Sequence, residues 1–83
     1  GATVNSDVSA RLEEILGRMP DEIGGRKIVS INRLDGVKFI FTDGSWILMR
    51  PSGTEPVVRI YAESESADDL EDLLEQGKRY LLG

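Results

Sequence analysis

The side chains best suited to chemistry lie in one short run, from Arg50 to Thr54. Arg50 carries a planar fork of N–H donors that matches phosphate oxygens, and Ser52 and Thr54 each add a hydroxyl donor. Gly53 lets the backbone turn through positive φ, which brings its N–H close to a ligand. Successive backbone N–H groups in such a turn can form an anion-binding concavity. The run therefore predicts a phosphate-binding loop.

The same run is also an ordinary turn composition, since Pro, Ser and Gly are common in turns. Arg50 directly before the turn favours the phosphate interpretation, because a plain hairpin has no need of an arginine there. Ser52 is a poor candidate nucleophile, because the chain contains no His that could act as its base. The sequence also contains no Cys, so no catalytic residue is expected in this chain.

Strands are predicted on both sides of the loop, from Trp46 to Arg50 and from Val57 to Glu63. Two earlier stretches rich in strand-forming residues, from Lys27 to Leu34 and from Val37 to Thr42, predict two more strands. Asp-Gly pairs at 35–36 and 43–44 separate the first three strands and are strong hairpin signals. The pattern therefore predicts an antiparallel meander that presents the loop at one of its ends.

A helix is predicted on each side of the four strands. Apolar residues at helical spacing run from Val8 to Met19, and Pro20 follows their end. Ser66 and Asp69 form a capping-box-like start for a closing helix, whose apolar face would contain Leu70, Leu73, Leu74, Gly77 and Leu81. The expected fold is α+β, a four-stranded mainly antiparallel sheet with two helices packed on one face, in the order α-β-β-β-β-α.

The bulk composition is that of one small globular domain covering residues 1–83, with residues 1–4 expected to be disordered or a cloning remnant. The net charge of −5 argues against a nucleic-acid partner. No apolar run approaches the length of a membrane span, and the N-terminus does not resemble a signal peptide. We therefore expect a cytoplasmic protein without a membrane partner.

Three other features leave alternatives open. The acidic residues from Glu63 to Asp72 could suggest a metal site, but a solvated acidic face at a helix start is favoured and no metal is expected. Trp46 could stack on a sugar, although core or rim packing is more typical of a strand aromatic. Arg59 lies on the opposite sheet face from its neighbours in sequence, and could reach the loop or pair with an acid.

The stretch from Asp43 to Trp46, the run from Arg50 to Pro56 and the segment from Arg59 to Glu63 together resemble the C-terminal domain (domain 4) of the α-D-phosphohexomutases. This family includes phosphomannomutase/phosphoglucomutase and phosphoglucosamine mutase. The resemblance covers nearly the whole chain, from Ser6 to Leu82, in the family's order of elements. The flanking strands look more like the phosphomannomutase/phosphoglucomutase branch.

The resemblance implies that the loop binds the substrate phosphate that is not being transferred. Matched position by position, the phosphate-binding residues would be Arg50, Ser52, Gly53 through its backbone, and Thr54. Glu55 would support the loop by accepting hydrogen bonds, and Arg59 is a second supporting candidate. Many relatives carry Asn at the position of Gly53, so any contact from an Asn side chain would be missing here.

The family's phosphoserine loop, aspartate-rich magnesium loop and sugar-recognition loop have no counterpart in this sequence. The resemblance therefore implies an excised domain of an isomerase that moves phosphate between C1 and C6 of a phosphosugar, inactive alone. Its partners would be the phosphosugar and the other domains of the parent chain; no cofactor is expected in this chain, and Mg would lie on another domain. The alternatives are a phosphoglucosamine mutase domain, a free-standing anion-binding or interaction module, and a nucleic-acid module.

Overall fold

An antiparallel sheet forms the body of the fold. The computed structural model describes residues 2–5, 14–15, 17–18, 20–52 and 57–82. The strands are β1 (Ala2–Asn5), β2 (Glu22–Ile23), β3 (Arg26–Asn32), β4 (Val37–Phe41), β5 (Trp46–Pro51) and β6 (Val57–Glu63). They lie in the order β1-β6-β5-β4-β3-β2, and every neighbouring pair is antiparallel. From β2 to β6, each strand therefore pairs with the next one along the chain.

The number of strands differs from the prediction. The four predicted strands are all present as β3 to β6, but the sheet has six strands rather than four. Ala2–Asn5 forms a strand that pairs with β6, in a segment where residues 1–4 were expected to be disordered or a cloning remnant. Both added strands are short, and they lie at the two ends of the sheet, where β3 and β6 would otherwise leave unpaired edges. Strands formed by such edge pairing leave little signal in their own sequence.

The two predicted Asp-Gly hairpins are confirmed. Gly36 has φ of +91° and Gly44 has φ of +88°, a region that L-residues with a side chain rarely adopt. In the second turn the Ser45 N–H donates to Asp43 Oδ1 over 2.9 Å. Both turns reverse the chain tightly, so β3, β4 and β5 are fixed side by side by local chemistry.

Helix α1 (Ala67–Leu82) closes the chain, as predicted. The Asp69 N–H donates to Ser66 Oγ over 3.1 Å, which confirms the predicted cap. Acidic residues in the first turn and Arg79 in the last turn both favour the helix dipole. The buried residues of α1 share one helical face, and they are Leu73, Gly77 and Leu81. α1 therefore packs against the sheet along the predicted apolar stripe.

The core lies between α1 and one face of the sheet. Strand residues alternate between this inner face and an outer face, as in β4, where the first, third and fifth residues are buried. Gly77 permits close packing, because a Cβ there would lie 3.3 Å from Ile47 Cγ2. The residues of the buried apolar cluster are Ile15, Ile23, Val37, Phe39, Phe41, Ile47, Met49, Val58, Ile60, Leu73 and Leu81.

The predicted first helix, from Val8 to Met19, falls mostly outside the described residues. Residues 14–15 are helical, and Ile15 is fully buried in the same apolar cluster as Leu73 and Leu81. Two helices were expected. Within the described ranges, α1 is the one helix with both ends defined. In these ranges, no helix has the length and the apolar character needed to cross a membrane.

Candidate anion-binding site

The candidate loop connects the end of β5 to the start of β6. Pairing between the two strands extends as far as Pro51 and Val58, and the Ser52 N–H then donates to the Val57 carbonyl over 3.0 Å. The predicted loop residues Gly53, Thr54 and Glu55 lie outside the described residues. The described ends of the two strands, at Ser52 and Val57, therefore lie side by side.

Pro51 suits this position because it lacks a backbone N–H. Pairing between β4 and β5 ends at Val37 and Met49, before Pro51 is reached. The missing donor therefore costs no hydrogen bond on the β4 side of the strand. A proline at this point marks the end of the sheet and the beginning of the loop.

Arg50 and Arg59 lie directly opposite each other on β5 and β6. Directly opposed residues of antiparallel strands share a face and have Cβ atoms about 5 Å apart. Both side chains are exposed on the outer face, away from the core. Among the described residues, no ion pair is formed by Arg59. The structure thus places Arg50 and Arg59 on one exposed face, near the strand ends that the loop connects.

Asp35 is the third charged group of the site. Its Oδ1 atom lies 3.4 Å from Arg50 Nε, with 51% of the arginine side chain and 68% of the aspartate side chain exposed. Among the described residues beside the loop, one carboxylate thus accompanies two arginines, in a chain whose net charge is −5. Sequence reasoning missed Asp35, because Asp-Gly was interpreted only as a turn signal.

Gly36 brings the β3–β4 turn into contact with the backbone of β5. A Cβ atom at Gly36 would lie only 2.2 Å from the Met49 carbonyl oxygen and 3.0 Å from Arg50 Cα. No other residue type fits this space without moving the backbone. The turn that carries Asp35 is therefore held directly against the residue that carries the guanidinium group.

Trp46 belongs to the other end of the same outer face. It lies four residues before Arg50 in β5, which corresponds to about 13 Å along the strand. Its Nε1 donates to Glu63 Oε2 over 2.9 Å, and Lys38 Nζ lies 4.3 Å from the ring centroid. These contacts show that the Trp46 ring packs on the outer face of the sheet, away from the loop.

A second polar region lies at the opposite end of the sheet, where Arg26 contacts several of the acidic residues. Arg26 Nη2 is 2.6 Å from Asp69 Oδ1 and 3.1 Å from Asp72 Oδ2. Hydrogen bonding to Asp69 raises the pKa of Arg26, and the same bond lowers the pKa of Asp69, with help from Ser64. The pKa of Asp43 is lowered mainly by its hydrogen bond from the Ser45 hydroxyl. Part of the acidic run thus neutralises the guanidinium group of the partly buried Arg26 instead of forming only a solvated face.

The acidic run provides no metal site in the part of the chain that the structure describes, where no three Asp or Glu side chains are grouped so as to hold an ion. The acids and the helix start instead line a hollow formed by the β4–β5 turn and the β6–α1 connection. This region is separated from Arg50 by the length of β5.

The fold defines a class of protein, an α+β domain in which a helix packs on one face of an antiparallel sheet. A family model described as "Phosphoglucomutase/phosphomannomutase, C-terminal domain" matches residues 4–78. The chain belongs to this family, as its C-terminal domain.

Similar proteins carry the names of several sugar-phosphate mutases. The chain is 43% identical over 60 residues, 72% of its length, to a phosphoglucomutase/phosphomannomutase of Thermococcus kodakarensis. It is 36% identical over 70 residues, 84% of its length, to a probable phosphoglucosamine mutase of Methanothermobacter thermautotrophicus. It is also 35% identical over 65 residues, 75% of its length, to a phosphopentomutase of Thermococcus kodakarensis. The matched segments span 13%, 15% and 14% of these relatives.

Proposed function

We propose that this chain is the domain of a phosphohexomutase that binds the substrate phosphate which is not being transferred. The observation that carries the proposal is the opposition of Arg50 and Arg59 at the start of the loop. Like charges directly across two strands are destabilising, so the arrangement is one that a bound anion would stabilise. Membership of the mutase family identifies a phosphosugar as the anion to expect.

Each residue has a distinct role in this proposal. Arg50 offers its planar fork to two phosphate oxygens, and Arg59 adds a second positive charge from the neighbouring strand. Ser52 and Thr54 donate hydroxyl hydrogen bonds, and Gly53 donates its backbone N–H. Glu55 keeps the loop in shape by accepting hydrogen bonds. These groups orient the substrate and neutralise charge, and bond making is left to other domains.

The parent enzyme, in this proposal, is an isomerase that moves phosphate between C1 and C6 of a phosphosugar. A phosphoserine and a magnesium site on other domains supply the chemistry. Because a doubly phosphorylated intermediate must turn around between two half-reactions, the spectator phosphate is attached to a different carbon each time. A loop that recognises only the phosphate group serves both orientations.

The identity of the sugar is decided elsewhere in the parent chain. The relatives are named as mutases acting on glucose and mannose, glucosamine and pentose phosphates. A site that contacts phosphate oxygens and leaves the sugar hydroxyls alone is compatible with all of these substrates. We propose the phosphomannomutase/phosphoglucomutase type, with phosphoglucosamine mutase as the alternative.

A titration of this chain with inorganic phosphate, followed by ¹⁵N–¹H correlation spectra, tests the binding role. The Arg50, Ser52, Gly53 and Thr54 signals should shift before all others, with a Kd on the order of millimolar, or about −4 kcal/mol. Arg50→Lys should weaken the binding because the fork is lost. Arg79→Lys is the matched control, since Arg79 is exposed on α1 and pairs with Glu75. Shifts centred on α1 with a silent loop would overturn the proposal.

Activity measurements test the division of labour between domains. The purified chain should show no mutase turnover with glucose 1-phosphate, mannose 1-phosphate or glucosamine 1-phosphate in a coupled assay. The physical reason is that a spectator-phosphate site contains no nucleophile. Turnover well above that of a mock preparation from the same host would contradict the proposed role.

A further inference from the structure

The contact between the β3–β4 turn and β5 assigns a role to a residue outside the loop. We infer that Asp35 is a positioning residue, which holds the Arg50 guanidinium group in the orientation that receives phosphate. This inference rests on the proposed function of Arg50. It adds a residue fifteen positions upstream of Arg50 to the site, where the turn sequence alone gives no indication of a binding role.

The edge at which the carboxylate approaches decides what remains available to a ligand. Asp35 Oδ1 approaches the guanidinium group at Nε, over 3.4 Å. A guanidinium group is planar and presents donors along separate edges. Contact at Nε therefore leaves the edge between the two terminal nitrogens unoccupied by Asp35, and this edge can donate two parallel hydrogen bonds to phosphate.

The pair differs from most surface ion pairs in its anchoring. An exposed pair usually contributes little because two long side chains must both be immobilised. Asp35 is short, and the glycine after it packs against the Met49 carbonyl and Arg50 Cα. The backbone that carries the carboxylate is thus held close to the backbone of Arg50, so the long arginine side chain is the main part of the pair that has to be ordered.

Repulsion from Arg59 makes such an anchor necessary. It lies directly opposite Arg50 on the same face, and repulsion between the two guanidinium groups would drive the Arg50 side chain away from β6. A carboxylate on the β4 side of β5 counters this tendency from a fixed point. Arg50 is then held in place in the free protein, so less rotamer entropy is lost when phosphate binds.

The direction of the effect of Asp35→Asn separates positioning from simple electrostatics. The substitution removes a negative charge from a phosphate site, so charge alone predicts tighter binding. Positioning predicts weaker binding, because Arg50 loses its anchor. The turn is preserved in either case, since Asn-Gly is as favourable in such a hairpin as Asp-Gly.

The experiment is a titration of this chain with inorganic phosphate, using the wild type, Asp35→Asn, Asp35→Glu and Glu71→Gln. Glu71 is exposed on α1 and gives the same change in net charge away from the site. Asp35→Asn should raise the Kd about two- to fivefold, the range expected for loss of an ordering surface ion pair. Glu71→Gln should leave the Kd within about 1.5-fold of wild type. Asp35→Glu, which keeps a carboxylate, should restore at least part of the affinity.

The ¹⁵Nε–¹Hε signal of Arg50 gives a readout that does not depend on phosphate. In the wild type it should be distinct from the signals of freely exposed arginines, and in Asp35→Asn it should move towards them. Unchanged or tighter phosphate binding by Asp35→Asn, with normal binding by the wild type, overturns the positioning role alone. Absence of phosphate binding by the wild type overturns the proposed function and this inference together.

Discussion

Arg50 and Arg59 are a cross-strand pair of like charge, and both guanidinium groups lie on the exposed face of the sheet beside the β5–β6 loop. Such a pair is unfavourable in isolation. Asp35 compensates part of this charge from the neighbouring turn, and in the proposed function a bound phosphate compensates the rest.

Arg50→Lys in the parent enzyme should lower kcat/KM by one to three decades, or about 1.4–4 kcal/mol. Lysine keeps the charge but loses the bidentate fork, so the transition state loses support together with the bound substrate. Stability should change little, because Arg50 is half exposed at a strand end. Steady-state kinetics and a thermal melt check both statements. Wild-type kinetics with unchanged folding would reduce Arg50 to a turn residue.

Arg59→Gln should affect stability and binding in opposite directions. Removal of one member of the like-charged pair should leave the free energy of unfolding unchanged or raise it by up to about 0.5 kcal/mol. The same substitution should weaken phosphate binding, because one of the two positive charges is gone. Urea denaturation and a phosphate titration of the same sample measure the two effects. A loss of stability without any change in affinity would show that Arg59 serves the fold.

Gly36→Ala should be far more destabilising than Gly44→Ala. Both glycines have positive φ, so each substitution introduces backbone strain of about 1 kcal/mol or more. At Gly36 the new Cβ would also meet the Met49 carbonyl oxygen at 2.2 Å, whereas no atom lies within 4 Å at Gly44. The difference between the two should exceed about 1 kcal/mol in urea denaturation. Equal losses would contradict the close approach of the turn to β5.

Acid should destabilise the fold partly through the cluster around Arg26. The pKa of Asp69 is lowered from its ordinary value of 3.8, mainly by the hydrogen bond from Arg26. A carboxyl whose pKa is lower in the folded state contributes stability above the unfolded pKa and loses it as the pH falls through the folded value. Arg26→Gln should therefore have a lower free energy of unfolding than the wild type at pH 7. The difference between the two should become smaller below pH 4 (about the unfolded pKa of Asp).

Urea midpoints of the wild type and Arg26→Gln at several pH values between 7 and 2.5 measure this narrowing. Arg79→Gln serves as the comparison, because its ion pair with Glu75 is exposed and local to one helix. A gap between the wild type and Arg26→Gln that stays constant over the whole range would mean that Arg26 acts through packing alone.

Local chemistry was enough to predict the meander and the closing helix. The hairpins follow from Asp-Gly pairs whose glycines do adopt positive φ, and the Ser66 cap follows from the spacing to Asp69. Period-two alternation placed Arg59 on the face opposite Val58 and Ile60, and the structure confirms this. Each of these features depends on residues a few positions apart, so a single sequence contains the whole signal.

The edge strands β1 and β2 were not predicted, because the interactions that form them are not local in the sequence. β1 and β2 are stabilised by pairing with β6 and β3, and their own residues carry little strand signal. The assignment of phosphate binding to Arg50, Ser52, Gly53 and Thr54, with Glu55 and Arg59 in support, stays a prediction. Of these positions, 53 to 55 lie outside the described residues.

By itself, the sequence determined the order of the main elements, the faces of their side chains and the position of a loop that follows Arg50. Each of these features depends on the spacing of residues a few positions apart. Only the tertiary structure decided that Arg59 faces Arg50, that Asp35 approaches Arg50 from the β3–β4 turn, and that Arg26 joins the acids at the start of α1. These relationships depend on strand register and on the packing of distant turns. They are consequences of the whole sheet, and no spacing along the chain encodes them.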